Sequence, residues 1–160
     1  MHMDLSADDI AGVVGLFGGL TRAELGEALA ELAFKRGEDH DPAAFAEDID
    51  AAVRSYHLIA IDPDDASLDT DLLVVGPVAF PALPDGATDL PHILDIETRS
   101  VDREKAARAA ETRLRADASA AVDAGNDERI EELLDVSYEL EAWGNVDLGT
   151  TRDRLDAAGE

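Results

Sequence analysis

Apolar positions recur at helical spacing three times in the first third of the chain. Ile10, Val13, Val14 and Phe17 follow Ser6, with Asp9 placed three residues on as a capping partner, and Gly18-Gly19 closes the run. Thr21 and Glu24 repeat the capping pattern ahead of Leu25, Ala28, Leu29 and Leu32, which share one helical face. Gly37 stands where a left-handed cap is expected. Asp41-Pro42 opens a third helix, with proline at its favoured first position and a stripe of Phe45, Ile49, Ala52, Val53 and Tyr56. Then the period changes. Leu58-Ile59-Ala60-Ile61 and Leu72-Leu73-Val74-Val75 are short apolar runs on either side of a polar turn, Asp62-Pro63-Asp64-Asp65, and predict a β-hairpin.

The rest of the chain has a different texture. Residues 77–98 contain four prolines, with Val78, Phe80 and Leu83 among them, and predict a strap packed on the surface instead of a free linker. A short helical turn is expected from Ile93 to Glu97. Residues 99–144 predict an antiparallel helical hairpin. Ser100 caps its first helix, which runs to Ala124 with Ala107, Ala110, Leu114, Ala118 and Ala121 on one side. After Gly125-Asn126, a second helix carries Ile130, Leu133, Val136, Leu140 and Trp143 and stops at Gly144. Residues 145–160 are expected to be a flexible tail with at most one helical turn from Arg152 to Ala157.

The predicted fold class is therefore mostly α (α+β): a three-helix domain with a small β-hairpin over residues 1–76, followed by the strap and the helical hairpin. Three helices and then a hairpin is the element order of a winged helix, which residues 6–76 resemble in order and length alone. The resemblance makes the third helix the recognition helix, which in a DNA reader carries Arg, Lys, Asn or Gln. Here it carries Glu47, Asp48 and Asp50 against one arginine, Arg54, and the hairpin adds Asp62, Asp64, Asp65, Asp69 and Asp71. Carboxylates repel a phosphate backbone, so nucleic acid is disfavoured as a partner. Arg54, with Lys35 and Arg36 at the second helix's end, are the candidate contacts if nucleic acid is bound at all.

Charge changes the picture further. The chain has 37 Asp and Glu against 13 Lys and Arg, a net charge of −24, with the acids spread along its whole length and only two lysines. Self-repulsion of this size destabilises a compact state in dilute buffer and is screened in concentrated salt, where the Debye length falls to about 3 Å. In this respect the composition resembles that of haloarchaeal proteins. With 46% hydrophobic residues a core is available, but aromatics are only 4%, so it must rest on Leu, Val, Ile and Ala.

Against this background Arg99, Arg103, Lys105, Arg108, Arg113 and Arg115 form a basic island. Glu104 with Arg108 and Glu111 with Arg115 are spaced as helical ion pairs, each adding a few tenths of a kcal/mol. The island is the candidate interaction surface, for an acidic partner, a second copy of the chain or RNA, with Trp143 either capping the core of the helical hairpin or forming an exposed anchor. Other chemistry is sparse. Cysteine is absent, and no nucleophile elbow, phosphate-binding glycine loop, dinucleotide fingerprint or H-E-x-x-H motif occurs. Glu38-Asp39-His40-Asp41 lacks the spacing of an EF-hand loop. His2, His57 and His92 are isolated, and His57 at a strand start and His92 after Pro91 read as structural. No catalytic residue, metal, cofactor or small-molecule ligand is assigned. No apolar run reaches the ~20 residues of a membrane span, and the N-terminus lacks the features of a signal peptide, so a cytoplasmic location is expected. The function expected is that of a non-catalytic, salt-adapted interaction or regulatory protein. The alternative is a DNA-associated transcription regulator whose basic surface is assembled in a dimer.

Overall fold

A computed structural model describes residues 5–63 and 68–158. Asp64 and Asp65 of the expected turn, His2, and the N-terminal residues 1–4 lie outside the described residues. The protein is mostly helical α+β, and the chain divides into two compact units, residues 1–101 and 102–160. Among the described residues no helix is long and apolar enough to cross a membrane.

In the first unit, α1 (Ala7–Phe17) and α2 (Arg22–Lys35) each begin with a reciprocal capping box. The Asp9 amide donates to the Ser6 hydroxyl and the Ser6 amide to the Asp9 carboxylate, both at 3.1 Å. Thr21 and Glu24 repeat this at 3.1 and 2.9 Å. Between the helices lies β1 (Leu20–Thr21), a strand too short to show any alternation in the sequence. The third helical segment departs from a single helix begun at Pro42. A 3-10 turn, Pro42–Phe45, comes first, and α3 runs Ala46–Arg54. The break falls at Phe45 (φ −99°, ψ 6°), whose side chain is fully buried with Ile49 and Ala52 in the core. Tyr56 is not on the helical stripe. It lies beyond the helix end at φ +67°, also fully buried, in a left-handed conformation that is costly for a bulky residue.

Strands β2 (Leu58–Ile61) and β3 (Leu72–Val75) form the expected antiparallel pair, in register from Leu58 opposite Val75 to Ile61 opposite Leu72. β1 adds to the other edge of β3, Leu20 opposite Leu73, giving the sheet order β1-β3-β2. The core is shared by α1, α2, α3 and the sheet: Phe17, Leu25, Leu29, Leu32, Leu58 and Leu73 belong to it.

The strap corrects an expectation. Phe80 and Leu83 are not packed down; they are 78% and 54% exposed. Pro77 and Pro84 are buried and Val78 is half-buried, while around Phe80 the segment is held by its backbone, with the Phe80 amide on the Asp8 carboxylate (2.9 Å) and the Ala82 amide on the Asp8 carbonyl (3.1 Å). Gly12 permits this close approach, since a Cβ there would lie 1.8 Å from the Ala82 carbonyl oxygen. The helical turn comes earlier than residues 93–97: a 3-10 turn (Ala87–Asp89) leads into α4 (Leu90–Leu94), because burial of Ala87 and Leu90 in the core fixes the segment there.

The second unit is built on the helical hairpin. α5 (Arg103–Ala124) is capped by Asp102 rather than Ser100 and ends at Gly125 (φ +64°). α6 (Asp127–Trp143) is capped by Asn126. Ala106, Ala107, Ala110, Leu114, Ala118 and Ala121 are buried on α5, and Ile130, Leu133, Val136 and Leu140 on α6. The alanines allow close approach: a Cβ on Gly144 would lie 2.5 Å from that of Ala107.

The remaining segment is no frayed tail. Residues Gly149–Ala158 form a helix, α7, with Leu148, Thr151 and Leu155 buried. The apolar contribution is small, which hid the helix in the sequence, and one carboxylate supplies much of the attachment. Glu141 accepts from the Leu148 amide (2.7 Å) and from the Arg152 guanidinium (2.5 Å). Hydrogen bonds from Arg152 and from the Leu148 amide hold the Glu141 carboxyl below its ordinary pKa. Glu141→Ala is expected to loosen α7 by about 2 kcal/mol, the scale of charge-assisted hydrogen bonds. Hydrogen exchange checks this: amides of residues 153–158 should lose protection while the buried stretch of α6 around Leu133 keeps it.

Candidate functional site

The residues read as one basic island fall into two groups. Arg99 belongs to the first unit and is a clamp. Its guanidinium donates to both Glu24 carboxylate oxygens (2.6 and 3.1 Å) and to the Gly19 carbonyl (2.9 Å), and its amide donates to the Phe17 carbonyl (2.6 Å). Burial acts to raise the Glu24 pKa, but hydrogen bonds from Arg99 and from the Thr21 amide outweigh it and hold the carboxyl below the usual value.

The other five lie on α5. Arg103 stacks over Trp143 at 4.4 Å and donates to the Trp143 carbonyl at 3.1 Å, tying the first turn of α5 to the end of α6. Trp143 is half-buried under that guanidinium. Arg108 reaches Glu104 at 3.8 Å and Arg115 reaches Glu111 at 3.6 Å, the two pairs expected from spacing, both arginines being largely exposed. Arg113 pairs with Asp117 at 3.5 Å, and Asp117 also receives Arg129 at 3.4 Å. Lys105 is half-buried.

The candidate nucleic-acid contacts are likewise engaged within the first unit. Lys35 donates to the Gly86 carbonyl (2.8 Å) and lies 3.4 Å from Asp89. Arg36 donates to the Asp85 carbonyl (3.2 Å). The two residues thus anchor the turn before α4. Arg54 is exposed at the end of α3.

Two of the histidines, His40 and His57, are engaged locally. His40 packs edge-on against Phe45 (5.8 Å between ring centres) with Glu38 3.5 Å from its Nε2. His57 shares a 2.6 Å hydrogen bond with the Ser55 hydroxyl, and His92 is exposed. Among the described residues no group of three or more His, Asp or Glu side chains is placed to hold a metal ion.

What the sequence reading missed is a groove on the outer side of α2 and α3. It has a volume of about 460 Å³, opens to solvent, and is lined by Arg22, Ala23, Gly26, Pro42, Ala43, Ala46, Ile49 and Thr70. Gly26 lets the 3-10 turn approach α2; a Cβ there would meet the Pro42 carbonyl oxygen at 3.0 Å. Apart from Arg22 and Thr70 the walls are small and apolar, and acids on α2 and α3 flank them. Glu27 stands one turn beyond Ala23, and Glu47 and Asp50 flank Ala46 and Ile49 on α3, all three exposed. Asp50 is paired with Arg22 at 2.7 Å. The signal in the sequence was an excess of small residues, Pro42-Ala43-Ala44 and Ala46, which the core stripe does not use.

The model of a family of unknown function, DUF7109, matches residues 8–160. The chain belongs to that family. No curated protein and no solved structure matches it. The match spans the groove, the α5 arginines and α7 alike, so the family's shared sequence covers both units.

Proposed function

We propose that the chain is a non-catalytic, salt-adapted interaction protein of the cytoplasm, built on a winged-helix-type first unit that contacts a protein partner through the α2–α3 groove. The order α1-β1-α2-α3-β2-β3, with β1 closing on β3, supports the winged-helix reading. The observation that carries the function is the chemistry of the face a DNA reader would use. Its lining is mostly alanine, glycine, proline and isoleucine, with Thr70 and an Arg22 that is paired with Asp50, and Glu27 and Glu47 stand exposed beside it. The nearby basic residues Lys35 and Arg36 are spent on the 85–89 turn. Such a face suits a basic protein segment that inserts one apolar side chain. In concentrated salt, where charges act over only about 3 Å, burial in the groove must supply most of the affinity.

Affinity purification at molar KCl tests the reading. A partner with a basic, apolar-tipped segment is expected, bound at least about tenfold more weakly by Ala46→Arg, which fills the groove and changes its charge. Ala51→Arg, exposed on α3 but outside the lining, should leave binding intact. If the chain instead shifts a DNA fragment at the same salt, and Arg103→Ala with Arg108→Ala abolishes the shift, the regulator reading replaces this one.

A further inference from the structure

A second concavity lies within the residue 102–160 unit, where the start of α7 faces α5. It has a volume of about 370 Å³ and is lined by Arg115, Ala118, Thr150, Thr151 and Arg154. In a chain with 37 carboxylates, none lines it. We propose that this pocket binds the phosphate group of a small phosphate monoester.

Three features of the site point to an oxyanion. The first is the helix start. Leu148, the residue before α7, has no side-chain oxygen to cap it. Asp147 takes the Gly149 amide at 2.9 Å, and the Arg152 amide begins the helical ladder on the Leu148 carbonyl at 2.8 Å. The amides of Thr150 and Thr151 donate to no acceptor among the described residues, so two helix-start donors remain for a ligand.

The second feature is Thr151 itself. It is only 8% exposed, and its hydroxyl has no hydrogen-bond partner among the described residues. The hydroxyl is not among the fully buried polar atoms, so it opens onto the pocket that Thr151 lines. A ligand oxygen there would satisfy it.

The third is the pair of guanidiniums. Arg154 stands one turn on from Thr150 and donates to the Ser119 hydroxyl (3.3 Å), with no carboxylate partner among the described residues. Arg115 approaches from α5, held loosely by Glu111 at 3.6 Å. Two planar guanidiniums, two amides and a hydroxyl are donors only, or can act as donors, which matches the acceptor-rich surface of a dianionic phosphate. Glu111 and Asp147 lower the net positive charge of the surroundings, so binding rests on directed hydrogen bonds more than on long-range attraction. The space also exceeds that of a bare phosphate, which leaves room beside Ala118 for the organic part of a monoester.

The experiment is an NMR titration of the isotopically labelled full chain in concentrated KCl. Inorganic phosphate and glycerol phosphate are the probes, each balanced by KCl so that ionic strength is constant. Saturable shifts centred on the Thr150 and Thr151 amides are expected, with half-saturation on the order of millimolar and glycerol phosphate at least as tight as inorganic phosphate. Arg154→Ala should weaken binding about tenfold and the isosteric Thr151→Val about threefold, with helicity unchanged by circular dichroism. The proposal is overturned by shifts that drift linearly without saturating or that persist unaltered in both variants. Exclusion of glycerol phosphate while inorganic phosphate binds would equally overturn it.

Discussion

Gly18→Ala is expected to lower the stability of the first unit by roughly 3–5 kcal/mol, more than any surface substitution in the chain. Two penalties fall on the same residue. Gly18 has φ +82°, a conformation that alanine adopts only with strain, and a Cβ at this position would sit 1.8 Å from the Arg99 carbonyl oxygen. The second is the larger, because the backbone at Arg99 is fixed from two directions: by its own amide on the Phe17 carbonyl, and by its guanidinium on Glu24 and the Gly19 carbonyl. Relieving the clash means pulling Arg99 away and leaving a carboxylate that is only 23% exposed without its partner. Urea denaturation read by the loss of helicity checks the magnitude.

A comparison with Arg99→Ala separates the two penalties by pH. Arg99→Ala removes the ion pair and the guanidinium's hydrogen bond to the Gly19 carbonyl without backbone strain, and should cost about 2 kcal/mol at neutral pH. Glu24 has a folded pKa below its ordinary value of 4.5, so its contribution is present above that value and lost as pH falls through the folded pKa. The stability gap between the wild type and Arg99→Ala should therefore narrow in acid. The gap for Gly18→Ala should narrow only in part, because the displaced Arg99–Glu24 pair titrates while the left-handed backbone strain does not. If Arg99→Ala keeps its full deficit in acid, packing of the arginine stem outweighs its charge.

The contrast between these two residues also explains what the sequence made legible. Features set by neighbours a few positions apart were readable: the boxes at Ser6 with Asp9 and Thr21 with Glu24, the left-handed glycine at 37, the break at Gly125-Asn126, and the α5–α6 pairing from stripes of Ala and Leu. Features set by distant contacts were not. Arg99 was grouped with Arg103 because they are four residues apart, yet the Asp102 cap separates them, and Arg99 turns to a carboxylate 75 positions away. β1 is only two residues long and exists through β3. α7 has few buried apolar residues, and its attachment depends on Glu141, one acid among many. Phe80 and Leu83 misled in the opposite sense, since the strap they belong to is held by backbone hydrogen bonds to Asp8. The groove was hidden for a related reason: alanines at 43 and 46 resemble a helix interior until the core is seen to be filled by Phe45 and Ile49.

The second large effect is on salt. Unfolding is expected to shift by on the order of 10 kcal/mol between roughly 0.1 M and about 2 M KCl. The estimate follows from the net charge of −24. Spread over globules of ordinary protein density, that charge repels itself by about 20 kcal/mol at the lower salt and less than half of that at the higher, while the expanded chain feels much less in either. A difference of this size equals the whole stability of a typical domain, about 5–15 kcal/mol. The exposed ion pairs, Arg22 with Asp50 and Arg108 with Glu104, offset little of it, because each is worth at most about 1 kcal/mol and is itself weakened by salt. The two units should respond unequally. The first holds 21 of the 37 acids but only five of the 13 basic residues, whereas the second has its α5 arginines close to Glu104, Glu111 and Asp117. As KCl is removed, the β-sheet and α1–α3 should melt first, with α5 and α6 persisting to lower salt, an order that residue-resolved hydrogen exchange along a salt series would display. Simultaneous loss of both units would show that they fold as one. A fold unchanged in buffer almost free of electrolyte would mean that the acidic surface is not an adaptation to salt, and the groove's carboxylate rim would then be free to attract a basic partner at long range.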